Sequence, residues 1–403
     1  MLPARCGAMP DMRVVLTTSA LEGHFFPMVP LAWALRAAGH EVLVNAPANF
    51  TPTITSTGLY AAGFVPPVQF EDFMLRDRQG RPVQPPANPR DRRESGGRAW
   101  GRLAALMLDG TLELVEAYRP DVIISEPNEY AGSMAATRYG IPWIEHGWGI
   151  MGMPEFKPAT TAELAPELSR LGQTGLTEPD LKIDTCPPSL CEESAPDTLP
   201  MRYVPYNGAA VAPDWVFEER TGPRICLTFG GVLPRHGRKD FRGMLRDWTL
   251  ALPRLGAEVV VAVADDLTAQ WSPLPAGVRT AGWLPLSLTL PACDLVVHHG
   301  GVGSTLTTVI AGLPQLLTPQ LVDQFENARR ITALGAGLSL QPEDLSTTAV
   351  LDRCAELLAD STFGKIARSV AEENAKRPTP AEVASQIEEF VAGSAIHDQR
   401  EPS

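Results

Sequence analysis

Two kinds of apolar pattern alternate along the first half of the chain. Short runs of β-branched and aliphatic residues predict strands at residues 13–18 and 41–45. Between them, residues 30–38 place apolar side chains every three or four positions, as in a helix that Gly39 ends. The same alternation predicts a helix at 103–118, a strand at 121–125, a helix at 130–139 and a strand at 142–145. Strands separated by helices favour a parallel sheet covered by helices.

The pattern weakens over residues 147–213, where prolines cluster, and then begins again. The second set of predicted elements comprises a strand at 224–228, a helix at 241–252, strands at 258–264 and 294–298, and a helix at 303–311. The repetition predicts an α/β chain with two doubly wound, Rossmann-like domains. We place these domains at residues 1–203 and 223–377, with a linker at 204–222 and a terminal helical segment at 378–403.

Three segments outside the regular pattern carry their own expectations. Residues 70–98 are rich in Arg, Pro and Gly without a sustained period, which is typical of a mobile loop. The linker at 204–222 is predicted to act as a hinge. Pro378 and Pro380 interrupt the last helical region. The sequence pattern leaves open whether the helix after them crosses back onto the first domain.

Composition narrows the class of protein. A chain of 403 residues exceeds one ordinary core and fits two domains of about 150 to 200 residues each. The net charge of −13 argues against binding to a nucleic-acid backbone. No apolar run reaches the roughly 18 residues of a membrane span, and the six cysteines lack metal-ligand spacing. We therefore expect a cytoplasmic protein without membrane or nucleic-acid partners. The sequence leaves open whether the protein forms a homodimer.

A glycine-rich turn joins the predicted strand 294–298 to the predicted helix 303–311. The residues from Asp294 read Asp-Leu-Val-Val-His-His-Gly-Gly-Val-Gly-Ser-Thr. Free backbone N–H groups at a helix N-terminus bind phosphate, and glycines allow the backbone to approach it. The residues suited to this are Gly300, Gly301, Gly303 and Ser304. Taken alone, the turn fits a tight bend with positive φ as well as it fits an anion site.

The residues on either side of this turn narrow its meaning. Gly282-Trp283-Leu284-Pro285 precedes it, and Pro319, Asp323-Gln324 and Asn327 follow it. This order resembles glycosyltransferase family 1 of the GT-B fold, and most of all the bacterial branch that attaches sugars to natural products of the calicheamicin, urdamycin and macrolide type. The resemblance extends over essentially the whole chain. It implies two Rossmann-like domains facing across a cleft, a nucleotide-sugar donor and a hydrophobic or aromatic small-molecule acceptor.

The resemblance implies donor-binding roles for residues of the second domain. The ring of Trp283 would stack on the nucleobase while the backbone of Leu284 pairs with the base edge. His299 would donate to the diphosphate. Because side chains alternate along a strand, His298 faces the other way and is predicted to be structural. The plainer alternative for Trp283 is a place in the core.

Two further donor contacts follow from the same resemblance. Asp323 and Gln324 would hydrogen-bond the sugar hydroxyls, although Asp323 also fits a helix N-cap. Gly230 and Gly231 end the first strand of the second domain in a loop that the family turns toward the phosphates. Here Phe229-Gly-Gly replaces the family's Gly-Ser or Gly-Thr, so a hydroxyl donor is missing at this point.

The first domain carries the expected catalytic group. Gly23-His24 follows the first strand, as in the family, and His24 is the candidate general base for an acceptor hydroxyl. The family's acidic partner comes from the loop after strand 121–125, which here reads Ser-Glu126-Pro-Asn-Glu-Tyr without the expected aspartate. Either Glu126 is the partner of His24 or this loop contacts only the acceptor. A histidine that merely caps the next helix is the structural alternative.

The acceptor pocket is the least specified part of the sequence. The family builds it from variable loops, here residues 64–102 and 147–200, and core packing is the commoner fate of the apolar residues in them. The candidates are Phe73, Trp100, Tyr130, Trp148 and Met151. The resemblance implies no metal, since GT-B enzymes stabilise the leaving diphosphate with a helix dipole and side-chain donors, and consistently no Asp-x-Asp triad lies between the strands. No cofactor is expected beside the TDP- or UDP-sugar.

The resulting hypothesis is an inverting, metal-independent transferase that moves a sugar, expected to be a deoxysugar, from a TDP- or UDP-sugar to a hydroxyl of a natural-product aglycone. A C-glycosyltransferase acting on an aromatic polyketide carbon is the close alternative. A nucleotide-sugar epimerase and a non-catalytic protein that binds nucleotide-sugars are more distant alternatives.

Overall fold

The computed structural model describes residues 11–84, 86, 88–150, 155–191, 198–220, 222–231, 241–320 and 322–398. Contacts divide the chain into two compact units. The first unit comprises Met1–Thr185, Ala195–Arg202 and Pro378–Ser403, and the second comprises Cys186–Ser194 and Tyr203–Arg377. None of the described helices is both long enough and apolar enough to cross a membrane.

The first unit is built on a seven-stranded sheet in the order β3-β2-β1-β4-β5-β6-β7. Every neighbouring pair is parallel. The strands are β1 Arg13–Thr17, β2 Glu41–Asn45, β3 Tyr60–Ala61, β4 Val122–Ser125, β5 Trp143–His146, β6 Leu181–Asp184 and β7 Thr198–Pro200. The order reverses between β1 and β4, so the loops that follow these two strands leave the same edge of the sheet side by side.

Helices cover this sheet, as the alternating pattern predicts. They are α1 Glu22–Phe25, α2 Val29–Ala38, α3 Thr51–Ser56, α4 Phe70–Met74, α5 Pro89–Tyr118, α6 Ala131–Tyr139, α7 Phe156–Glu163 and α8 Ala165–Leu171. Short 3₁₀ turns lie at Phe26–Met28 and Ala48–Phe50. Gly39 ends α2 in the left-handed conformation with a φ of 111°, as expected for a glycine C-cap.

The prediction of a mobile loop over residues 70–98 is wrong for most of that segment. Residues 70–74 form α4, and α5 begins at Pro89, after Asn88 caps it by accepting a hydrogen bond from the backbone of Arg90. Two glycines of this segment, Gly96 and Gly97, serve close packing. A Cβ on Gly97 would lie 2.6 Å from the carbonyl oxygen of Phe156 in α7. Glycine is needed here because two helices lie in close contact. In the sequence alone, such a glycine looks the same as a glycine in a loop.

The second unit has a six-stranded sheet in the order β10-β9-β8-β11-β12-β13. All its described pairs are parallel. The strands are β8 Arg224–Thr228, β9 Glu258–Ala262, β10 Val278–Gly282, β11 Leu295–His298, β12 Gln315–Leu317 and β13 Gly337–Ser339. The order reverses between β8 and β11, so the loops after these strands are also neighbours at one sheet edge.

Helices of the second unit alternate with its strands. They are α9 Phe241–Ala251, α10 Asp265–Thr268, α11 Leu286–Thr289, α12 Val302–Ile310, α13 Val322–Leu334, α14 Thr347–Ala359 and α15 Ser361–Ala375. Further 3₁₀ turns lie at Pro188–Leu190, Asp214–Phe217, Leu252–Leu255 and Leu290–Ala292. The buried rings of Phe229 and Trp248 pack together in the core, with their centroids 5.6 Å apart.

The segment predicted as a linker, 204–222, groups with the second unit. Trp215 is buried in an apolar cluster of that unit, and the guanidinium of Arg224 lies 4.7 Å from the centre of its ring. The side chain of Asn207 accepts a hydrogen bond from the backbone of Ser287. The prolines that suggest a linker thus belong to a segment held by buried aromatic and polar contacts.

The last helix, α16 Pro380–Asp398, groups with the first unit although it follows the second in the chain. It packs on α2. The ring of His40, which directly follows α2, lies 2.9 Å through Nε2 from Oε1 of Glu388 in α16. The other ring nitrogen, Nδ1, accepts a hydrogen bond from the backbone of Met12. His40 therefore joins the terminal helix to the start of the chain.

Candidate functional site

The glycine-rich turn of the second unit lies between β11 and α12. Gly300 has a φ of 87°, and Gly301 is the N-cap residue of α12. The positive φ favours glycine here, and a Cβ on Gly300 would also lie 3.2 Å from the backbone oxygen of Gln324, a tight contact. Gly303 and Ser304 lie in the first turn of α12, and a Cβ on Gly303 would meet open space. The N–H groups in the first turn of α12 have no acceptor within the helix, and this is the arrangement with which helix N-termini can bind anions.

His298 holds the turn from inside the protein. Its Nδ1 accepts a hydrogen bond from the backbone N–H of Gly300 at 3.0 Å. Its Nε2 therefore carries the proton and donates to Oε1 of Gln315 at 2.7 Å. Burial lowers the pKa of His298 to about 4, which keeps the ring neutral and this tautomer in place. Both ring nitrogens are used within the protein, in accord with the predicted structural role.

His299 points toward the two glycine loops. Both Gly301 and Gly230 lie beside its ring. A Cβ added to Gly301 would be 2.4 Å from Nε2 of His299, and one added to Gly230 would be 3.4 Å from it. Its Nδ1 is buried and finds no hydrogen-bond partner among the described residues. Burial and the neighbouring His298 lower the pKa of His299 to about 3, so the ring is neutral and has one N–H to donate. Gly230 has a φ of 61°, and Gly231 follows it at the surface.

Helix α13 supports the turn from the other side. The amide of Asn327 donates to the carbonyl oxygen of Gly300 at 2.8 Å, and Oε1 of Gln324 accepts from the backbone of Gln320 at 2.9 Å. Gln324 and Asn327 are buried, whereas Asp323 is exposed. Asp323 lies within the first turn of α13, so the N-cap alternative does not hold. Asn327 appears in the sequence motif, but its role in fixing Gly300 emerges only from the structure.

Trp283 stands at the carboxyl end of β10 with its side chain in part free. The residue is 46% exposed, which excludes the alternative of a core aromatic, whereas the adjacent Leu284 is buried. The backbone N–H of Trp283 donates to Oδ1 of Asp265 at 2.7 Å. Asp265 begins α10, just beyond β9, and sequence reasoning missed it because a bond to a backbone N–H leaves no motif.

In the first unit, His24 and Glu126 meet at the edge where the strand order reverses. His24 lies in α1 after β1, and Glu126 directly follows β4. Nδ1 of His24 is 2.9 Å from Oε1 of Glu126. A carboxylate only accepts, so Nδ1 carries the proton and Nε2 is the basic nitrogen. The Glu126 side chain is fully buried, while that of His24 is 17% exposed.

This contact bears on the alternatives left open by the sequence. Glu126 reaches His24 directly, so the loop after β4 does more than line a pocket. The other carboxylate oxygen, Oε2, accepts the backbone N–H of Asn128 at 2.7 Å, which fixes the carboxylate plane. His24 makes no side-chain cap for α2, whose N-cap residue is Met28.

A second carboxyl group, Glu129, lies three residues further along the same loop. Its oxygens accept the backbone N–H groups of Ala131 and Gly132 at the start of α6, at 2.8 and 3.0 Å. Burial raises its pKa to about 7, although hydrogen bonds from Thr17 and from these N–H groups oppose the shift. Glu129 has no predicted role from the sequence.

Two tryptophans enclose the His24 ring. The centroid of Trp100 lies 4.8 Å from that of His24, and the centroid of Trp148 lies 4.0 Å away in an edge-on arrangement. Phe73 packs on Trp100 at 5.5 Å, and Tyr130 joins the same buried cluster. Of the acceptor candidates, Met151 lies outside the described residues. Trp100 and Trp148 contact the candidate base, and Phe73 and Tyr130 lie with Trp100 in one buried cluster.

The arrangement defines a class of protein. One Rossmann-like unit presents a histidine-carboxylate pair at its switch point, and another presents a glycine-rich helix terminus beside an exposed tryptophan. In the described residues, His, Cys, Asp and Glu form no group of three or more that could hold a metal ion. Two such units with these loops define a glycosyltransferase of the GT-B fold.

Comparison with known proteins gives the family. Residues 33–230 match the N-terminal domain, and residues 247–390 the C-terminal domain, of proteins described as erythromycin biosynthesis protein CIII-like. The chain is 42% identical to an L-demethylnoviosyl transferase of Streptomyces niveus over 93% of this chain and 97% of that protein. The chain therefore belongs to the CIII-like family and is a glycosyltransferase of natural-product biosynthesis.

Solved structures agree with the fold prediction. The glycosyltransferase SsfS6 of Streptomyces sp. SF2575, complexed with thymidine diphosphate, is 42% identical with a TM-score of 0.84. It aligns with 94% of this chain and 100% of its own. Spinosyn rhamnosyltransferase SpnG, complexed with spinosyn aglycone, is 32% identical with a TM-score of 0.81 over the same shares. The prediction of two Rossmann-like domains of the GT-B type is confirmed.

Proposed function

We propose that this glycosyltransferase transfers a deoxysugar from a TDP-sugar to a hydroxyl group of a natural-product aglycone, with inversion at the anomeric carbon. The observation that carries the proposal is the His24–Glu126 pair in the first unit. TDP is favoured over UDP because the similar SsfS6 structure contains thymidine diphosphate. The relative from Streptomyces niveus is itself named for the transfer of a sugar, L-demethylnoviose.

The first unit supplies the base. Nε2 of His24 takes the proton of the acceptor hydroxyl as its oxygen attacks the anomeric carbon. The new C–O bond forms while the bond from that carbon to the diphosphate breaks, and the diphosphate leaves with the electron pair. The imidazolium that results is stabilised by the buried Glu126 carboxylate 2.9 Å from Nδ1. A single displacement from the opposite face inverts the sugar carbon.

The second unit holds the donor and its leaving group. The N-terminus of α12, with the backbone at Gly301 and Gly303 and the Ser304 hydroxyl, offers donors to the diphosphate, while the N–H of Gly300 donates to Nδ1 of His298. The neutral His299 adds one N–H. These groups stabilise the charge that develops on the diphosphate, which is the basis for proposing a metal-independent reaction.

Other residues set the position of the two substrates. The exposed ring of Trp283 stacks on the nucleobase, and Asp323 and Gln324 bind the sugar hydroxyls. Trp100 and Trp148, which enclose His24, form the wall against which the apolar acceptor rests. Aromatic rings beside the candidate base favour an aglycone with an apolar surface.

The test is turnover by His24→Ala with TDP-sugar and a panel of aglycones, in excess chelator. We expect kcat/KM to fall by about 10²- to 10⁴-fold, since general-base catalysis is lost. TDP affinity measured by calorimetry should not change, because His24 lies in the other unit from the donor loop.

Three outcomes would count against parts of the proposal. Full turnover by His24→Ala removes the base assignment. Loss of wild-type turnover in chelator removes metal independence. A product linkage that resists acid hydrolysis identifies a C-glycoside and replaces the hydroxyl acceptor with an aromatic carbon.

A further inference from the structure

The turn that carries Trp283 is held by a side chain from a different loop. Strand β10 ends at Gly282, whose carbonyl oxygen accepts the backbone N–H of Val263 at 3.0 Å, so the turn is fixed to the end of β9. β10 lies at the edge of the sheet and has no further strand beside it among the described residues. The next N–H, that of Trp283, donates instead to Oδ1 of Asp265 at 2.7 Å.

The lack of a side chain at Gly282 allows the Asp265 carboxylate to approach the backbone closely. It has a φ of 142°, a conformation that L side chains rarely adopt. A Cβ at this position would lie 2.6 Å from Oδ1 of Asp265. The glycine and the aspartate therefore form a matched pair, in which the missing side chain of one makes room for the oxygen of the other.

We infer that Asp265 is a positioning residue for donor binding: through its bond to the Trp283 backbone it sets the orientation of the indole platform for the nucleobase. The inference rests on the proposed function, because it takes Trp283 as the stacking residue. Asp265 and the candidate base His24 lie in different units, and Asp265 is placed by its bond to the Trp283 backbone. Its removal therefore weakens nucleotide binding and leaves the chemical step unchanged.

The experiment compares Asp265→Ala and Asp265→Asn with Asp266→Ala as the matched control. Asp266 is the neighbouring acid, exposed like Asp265, and its carboxylate lies 3.8 Å from the guanidinium of Arg242. For Asp265→Ala we expect roughly 10-fold weaker TDP binding by calorimetry, the size of one lost charge-assisted hydrogen bond. The donor KM should rise equally, with kcat at saturating donor unchanged.

The conservative variant Asp265→Asn distinguishes a positioning role of Asp265 from a general contribution to protein stability. Asn keeps an acceptor oxygen, so Asp265→Asn should bind TDP close to the wild-type level, and so should Asp266→Ala. Gly282→Ala is the second variant, since it forces the same two groups apart. Its loss of affinity should not add to that of Asp265→Ala in a double-mutant cycle.

The outcomes that overturn the inference are distinct from those that overturn the proposed function. If wild-type protein binds TDP and folded Asp265→Ala binds it equally well, the positioning role is wrong and the proposed function stands. Equal losses for Asp265→Ala and Asp265→Asn would likewise reject it. If wild-type protein binds no TDP, the donor assignment itself fails and the inference fails with it.

Discussion

Glu129 and Glu126 share one loop but are bound by the protein in different ways. Glu126 contacts the ring of His24, whereas Glu129 is surrounded by backbone N–H groups and the Thr17 hydroxyl. Burial dominates at Glu129 and raises its pKa to about 7, so the folded protein favours the protonated carboxyl. The unfolded chain has no such preference, which links the charge of this residue to folding.

Glu129→Gln should therefore flatten the pH dependence of stability. The contribution of Glu129 is complete below its ordinary pKa of 4.5 and is lost as pH rises toward 7, by on the order of 3 kcal/mol in all. Urea unfolding at pH 5, 6, 7 and 8 measures the slope for both proteins. Because other titrating groups are common to both, the difference in slope isolates Glu129. Equal slopes would show that its folded pKa is not raised.

At the residue scale, the sequence identifies groups that belong to a motif and misses groups that act through the backbone. His24, Trp283 and His299 follow from the motif, and the structure places each beside suitable neighbours. Asp265 and Glu129 bind backbone N–H groups, and such contacts depend on how two loops meet. The spacing of residues along the chain therefore does not predict these contacts between loops.

At the scale of elements, the packing of α5 on α7 depends on small residues. Gly97→Ala should destabilise the first unit by about 1 to 3 kcal/mol, because its Cβ would lie 2.6 Å from the backbone oxygen of Phe156 and force the helices apart. The matched control is Gly393→Ala in α16, where a Cβ meets nothing within 4 Å. That change should stabilise by about 0.5 to 1 kcal/mol through helix propensity. Unfolding free energies that fall equally in both variants would contradict the packing argument.

The central strands and helices of both units could be predicted because their apolar periodicity is strong. Predicted strands at 41–45 and 224–228 coincide with β2 and β8. The start of α5 could not be predicted, because Pro89 and the Arg and Gly residues that follow it resemble a loop in the sequence. Only the contact with α7 shows that these glycines belong to a helix.

At the scale of the whole molecule, three buried histidines govern the response to acid. Burial lowers the pKa of His146 and His298 to about 4, and that of His299 to about 3. A lowered histidine pKa leaves stability intact above the ordinary value of 6.5. Stability is then lost as pH falls toward the folded pKa, because only the unfolded chain takes up the protons.

We therefore expect the unfolding free energy to decrease steadily from pH 7 to pH 5. Glu129 and Glu145, whose pKa values burial raises, act in the opposite direction over this range, but the three histidines outnumber these two carboxyl groups. Chemical unfolding at constant ionic strength measures the trend. A constant or rising free energy on acidification would show that these rings are not held neutral by burial.

The division into two units could be predicted from the repeated pattern, but its boundaries could not. Residues 186–191 belong to the second unit because distant side chains hold them: Arg330 donates to the carbonyl oxygen of Leu190 at 2.8 Å, and Arg377 donates to that of Cys186. These partners lie far along the chain. Local composition, which is rich in proline here, indicates a loop without showing where it is bound.

The return of α16 to the first unit has a consequence for engineering. The two units of related glycosyltransferases are natural parts to exchange, and the chain order suggests a single junction near residue 204. A chimera made there would give the first unit a foreign terminal helix, and the contact between His40 and Glu388 would depend on the other parent. The exchangeable part is discontinuous, so a working chimera of this chain needs a second junction at Pro378.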